Sequence, residues 1–147
     1  MYVPPFDALL SRLGAGSVAL DGAGRVTIPT QLLKLLLQLA LAANDFDEEA
    51  YLAANPDVRH AVERGEVESA RLHYIGYGYF EGRKGGGAPV DADWYLKRYP
   101  DVAAAIAQGH VASALQHFDA VGAAEGRSPS ADKEEAAVQW KLALTAA

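Results

Sequence analysis

A chain of 147 residues with 13 Lys and Arg against 19 Asp and Glu carries a formal charge of -6 and contains no cysteine. The acidic balance argues against nucleic acid as a partner, because phosphate binding relies on clustered cations. The missing cysteines exclude disulfides, thiol catalysis and cysteine-ligated metals. Half of the residues are hydrophobic and 22% are charged, an ordinary balance for a soluble globular protein able to bury a core.

The opening MYVPPFDALLSRLG has neither a basic leader nor an uninterrupted apolar run, so no cleaved secretory signal is expected. A cytoplasmic chain is the expectation, with export lacking a cleaved leader as the alternative. Residues 6–13 place Phe6, Leu9, Leu10 and Leu13 on one side of a short amphipathic helix ended by Gly14. Next, SVALDGAGRVTIP alternates Val18 with Leu20 and Val26 with Ile28 around Asp21-Gly22-Ala23-Gly24, which predicts a β-hairpin. Two strands alone are marginal, so the following leucine-rich helix is the expected cover, and free hairpin edges would offer a route to self-association.

That helix, QLLKLLLQLALAA over residues 31–43, is too short and too interrupted by Lys34 and Gln38 to span a bilayer, which takes about 20 apolar residues. No transmembrane segment is expected. Lys34 and Gln38, four apart, mark one polar edge, and leucines fill nearly every other direction. A helix apolar all round is expected to be enclosed on several sides, and Leu36 and Leu39 are candidates for burial against a partner. Residues 1–45 read as a packing or oligomerisation unit.

Residues 46–85 then align without gaps on residues 90–129, 44 positions later, a spacing typical of stacked supersecondary units. Asp47 and Asp91 are helix N-caps, with Glu49 and Asp93 nearby. Pro56 and Pro100 end one helix and open the next. Val58, Ala61 and Val62, matched by Val102, Ala105 and Ile106, give that second helix an apolar stripe, and Gly65 and Gly109 supply its left-handed end. A third helix is expected from about Val67 or Val111 to Gly78 or Gly122, carrying His73 or His117 on its apolar face. The EGR triplets ending in Arg83 and Arg127 read as tight turns, and their arginines can return to Asp57 and Asp101. The fold class is therefore mainly α: two tandem three-helix repeats, 46–87 and 88–129, an N-terminal β-hairpin with a leucine-rich helix, and a C-terminal capping helix over 130–147. Ser128 and Ser130 are capping candidates for that last helix, and Val138, Trp140, Leu142 and Leu144 give it apolar bulk. The three glycines after Lys84 read as a flexible point.

YLAANPDV with GYGYFEGR, and WYLKRYPDV with HFDAVGAAEGR, resemble the tandem "YLxxNPDV … HYxxxGxxEGR" repeat of bacterial proteins. That repeat is appended to enzymes of surface-polysaccharide synthesis and occurs in large secreted or surface proteins. The resemblance spans about residues 46–129 and implies an accessory module without catalytic residues of its own.

Pro56, Asp57, Gly65, His73, Gly78 and Arg83, with Pro100, Asp101, Gly109, His117, Gly122 and Arg127, read as architectural. A metal would need three or four converging ligands, and neither histidine has a recurring second ligand nearby, so hydrogen-bonded structural histidines are expected and no metal or cofactor. No GxSxG, phosphate-cradling loop, HExxH or carboxylate pair with a base occurs, so no catalytic residue is assigned and no enzyme is expected. The first copy carries Tyr77, Tyr79 and Phe80 where the second has Val121, Ala123 and Ala124. This surplus, with Trp94, suits either a protein interface or sugar stacking. It fits equally a gap filled against the N-terminal leucines. A protein partner or a second copy of the chain is the leading expectation, and a polysaccharide the alternative.

Overall fold

The computed structural model describes residues 3–13 and 26–145. These are mainly helical and include no strand. The expected hairpin falls largely on residues 14–25, outside the described residues. Val26 and Ile28, which would belong to its second strand, lie in a stretch without regular structure, so no hairpin is present among the described residues. The chain divides into two compact units, one holding residues 3–13 and 26–88 and the other residues 89–145 of those described.

In the first unit, α1 (Phe6–Arg12) and α2 (Thr30–Ala42) precede α3 (Glu48–Ala54), α4 (Pro56–Glu63) and α5 (Ala70–His73), which runs into a π-helical turn, π1 (Tyr74–Gly78). The Asp47 carboxylate accepts from the Ala50 amide at 3.0 Å and so caps α3. Pro56 then starts α4 with a fixed φ and no amide to satisfy. Gly65, at φ 71°, closes α4 in a Schellman turn, with the Glu66 amide donating to the Ala61 carbonyl at 2.9 Å. The third helix begins at Ala70 rather than near Val67, because Ser69 is its cap and accepts from the Leu72 amide at 3.1 Å. Tyr51, Leu52, Val58, Ala70 and Tyr74 form the core, with Leu41, Phe46 and Val62 packed against it.

The second unit runs through the same succession: α6 (Ala92–Arg98), α7 (Pro100–Ala107), α8 (Ala114–His117) and π2 (Phe118–Gly122). Asp91 caps α6 through the Trp94 amide, and Ser113 caps α8 through the Gln116 amide. A short 3-10 turn (Ala131–Lys133) then leads to α9 (Glu134–Thr145). The core is Tyr95, Val102 and Ala114, with Trp94, Tyr99, Ile106 and Phe118 against it. Helix α9 does not bury its apolar side chains as a stack cap would. Val138, Trp140, Leu142 and Leu144 are all exposed. Ser128 is buried, but it stabilises the approach to this helix and not its first turn, since its hydroxyl donates to the Ser130 carbonyl at 2.7 Å.

Two glycines of the stretch expected to flex are closely packed. A β-carbon at Gly85 would come within 2.5 Å of the Ala50 carbonyl oxygen, and one at Gly86 would overlap the Tyr74 ring. The Asn55 amide anchors the same loop by donating to the Lys84 carbonyl at 2.8 Å. These two glycines are needed for close approach.

Candidate functional site

Each unit is centred on a buried tyrosine. Tyr51 and Tyr95 are fully buried in the middle of α3 and α6, and their hydroxyls share hydrogen bonds with His73 Nδ1 at 3.0 Å and His117 Nδ1 at 3.1 Å. Burial pushes both phenols above their ordinary range. The hydroxyls sit where β-carbons of Gly78 and Gly122 would be, at the ends of π1 and π2. In those turns the Tyr79 amide donates to the Tyr74 carbonyl, and the Ala123 amide to the Phe118 carbonyl. The wide turn and the bare glycine together make room for the tyrosine head.

A second recurring group latches each unit. Arg83 reaches both Asp57 oxygens at 3.0 and 2.7 Å and Glu81 through Nε at 2.7 Å. Arg127 repeats this with Asp101 at 2.9 and 2.7 Å and Glu125 at 2.6 Å. The arginine hydrogen bonds hold both aspartate carboxyls below the usual range. Gly82 and Gly126, at φ 70° and 73°, form the turn that aims each arginine back. These are paired, structural charges. Among the described residues no group of three or more His, Asp or Glu is placed to hold a metal ion.

Helix α2 departs most from its sequence reading. None of its residues is buried, and the supposed polar edge faces inward. Gln38 Nε2 donates to the Ile75 carbonyl inside π1 at 3.3 Å, and Lys34 Nζ stands 5.1 Å from the centre of the Phe80 ring and 5.9 Å from that of Tyr77. A cation over aromatic faces gains by the ring quadrupole. Arg71 closes the other end by donating to the Ala42 and Asn44 carbonyls at 2.8 and 3.0 Å. Lys34, Leu37, Gln38 and Leu41 thus form the inward stripe, and Leu33, Leu36 and Ala40, spaced by three and four, point away from it. Leu33 and Leu36 are 46% and 49% exposed, and Leu39 is half-buried.

The aromatic candidates separate. Tyr77, Tyr79 and Phe80 are exposed at the end of π1, with Tyr79 edge-on to both Tyr74 and Phe80. They lie beside α2 in the first unit. Trp94 belongs to the second unit, half-buried and edge-on to Tyr99 at 6.1 Å. Its indole packs against the Tyr95, Val102 and Ala114 core.

Comparison with protein-family models, with curated proteins and with solved structures finds no match to this chain. Among the described residues no helix is long and apolar enough to cross a membrane.

Proposed function

We propose that the chain is a non-enzymatic interaction or assembly module that associates with a second copy of itself, built on a tandem helical repeat and serving bacterial cell-surface or exopolysaccharide systems. The observation that carries self-association is the outward row of Leu33 and Leu36 on a helix whose polar side is already engaged. An exposed apolar row of this kind suits helix-on-helix packing, and two copies related by a twofold axis would cover each other's rows. The link to surface polysaccharide rests on the resemblance of the two YL…PDV…EGR segments. Sedimentation over a wide concentration range is the test. A dimer that becomes monomer on Leu36→Asp, with the helical circular dichroism retained, supports the reading, and a native chain that is monomeric throughout overturns it.

The exposure of Tyr77, Tyr79 and Phe80 favours a second reading, a carbohydrate-binding module in which sugar rings stack on this cluster. Titration with surface polysaccharide, followed by tyrosine fluorescence in the native and Tyr77→Ala chains, separates the two.

A further inference from the structure

We propose that the second unit holds a binding cleft for a small organic anion with an apolar body. A cavity of about 480 Å³ opens between the end of α6, the turn after π2 and the face of α9 that carries Glu134, Ala137, Val138 and Lys141, within the roughly 300–1,000 Å³ of small-molecule sites. Tyr99, Ala137 and Val138 form its apolar wall, and Arg98, Arg127 and Lys141 bring the cations.

Two carboxylates face the same space, and both are engaged. Glu134 accepts from Arg98 Nε at 2.6 Å, and Glu125 accepts from Arg127 Nε at 2.6 Å. The terminal nitrogens of Arg127 are taken up by Asp101. Arg98 binds Glu134 through Nε alone, which leaves its terminal nitrogens for a ligand. The Lys141 ammonium has no carboxylate partner among the described residues, and its stem lies over Gly126, where any β-carbon would meet it at 2.9 Å. The cleft therefore offers one unneutralised cation and two spare guanidinium nitrogens beside an apolar wall, a donor set that fits a carboxylate or a phosphate.

The fold does not require this arrangement. The latch residues Glu125, Gly126 and Arg127 have counterparts in Glu81, Gly82 and Arg83, but Ala54 and Asn55 stand where the second unit has Arg98 and Tyr99. Arg98 and Arg127 both stack on the Tyr99 ring, at 5.5 and 5.0 Å from its centre, so Tyr99 fixes the two guanidinium planes.

The test is an NMR titration of the full chain with benzoate, with phenyl phosphate and with benzyl alcohol as the uncharged probe. Saturable shifts at the Gly126 and Ser128 amides with either anion, and none with benzyl alcohol, are expected. Response to benzoate alone marks a carboxylate ligand, and response to phenyl phosphate alone a phosphate. Lys141→Met should weaken binding about tenfold, as loss of one charge-assisted hydrogen bond predicts. Lys133→Met, which removes a cation paired with Asp132 outside the cleft, should bind as the native chain does. Absence of saturation with both anions, equal response to benzyl alcohol, or unchanged affinity in Lys141→Met overturns the proposal.

Discussion

The Tyr51 hydroxyl lies 3.0 Å from His73 Nδ1 and occupies the position that a side chain at residue 78 would need. One buried oxygen thus sets two requirements 22 and 27 positions along the chain: a hydrogen-bonding ring and a bare backbone. Replacing Tyr51 by Phe should destabilise the first unit by about 1–2 kcal/mol, the cost of a buried hydrogen bond lost with its partner left behind. Gly78→Ala should cost about 1–3 kcal/mol through overpacking, and less in a Tyr51→Phe background, where the obstructing oxygen is gone. Urea unfolding of the four chains of this cycle measures the coupling. Strict additivity would contradict the geometry.

Acid should loosen both latches. Asp57 and Asp101 are held below the ordinary carboxylate range, chiefly by hydrogen bonds from Arg83 and Arg127. A carboxyl depressed in the folded state stabilises it above the unfolded value, near 3.8, and the contribution fades as pH falls through the lower folded value. Stability therefore declines below about pH 4. A chain carrying Asp57→Asn and Asp101→Asn should show a flatter decline in urea midpoints between neutral pH and pH 3, and an unchanged slope would show that the latches contribute little.

Three adjacent glycines should respond differently to alanine. Gly85 has φ 85° and backbone atoms of Ala50 and Tyr51 against it, and Gly86 touches the Tyr74 ring. Alanine at either should cost about 1–3 kcal/mol. Gly87 has nothing within 4 Å, so Gly87→Ala should be neutral or stabilise by up to about 1 kcal/mol through the unfolded chain. Thermal melts of the three variants rank them.

On α2 the two sides of one helix should separate stability from assembly. Leu41 packs against the core, and Leu41→Ala should destabilise the fold by about 2 kcal/mol or more. Leu33→Ser and Leu36→Ser, on the outward row, should stay within about 0.5 kcal/mol in the monomer and act on association instead, read by paired melts and light scattering.

Helix boundaries are legible in the sequence because they rest on local chemistry. Asp47, Pro56, Gly65 and their matches at Asp91, Pro100 and Gly109 act on their own neighbours through caps, a fixed φ and a left-handed turn. Ser69 and Ser113 carry an equally local cap signal, overlooked beside the nearby valines, which is why the third helix begins later than expected. Helix α2 misleads for a different reason. Composition shows that leucines surround it but not which side meets the protein, and that choice is made by distant groups, Phe80, Ile75 and Arg71, acting on Lys34, Gln38 and the last carbonyls. The Tyr51–His73 bond is non-local in the same way, and only the recurrence of both histidines hints at it. The cleft beside Arg98 and Lys141 depends on the path of α9 and leaves no motif.

Asn55 secures the Lys84 carbonyl from below its loop, whereas in the matching place the Tyr99 hydroxyl accepts from the Ser128 amide at 2.9 Å. The two halves have solved one anchoring problem with opposite polarity, a donor in one and an acceptor in the other. Anyone recombining segments between the halves, to lengthen the array or to build chimeras, must therefore transplant position 55 or 99 together with the loop residue 28 positions after the proline, because an asparagine amide set against the Ser128 amide would place donor against donor.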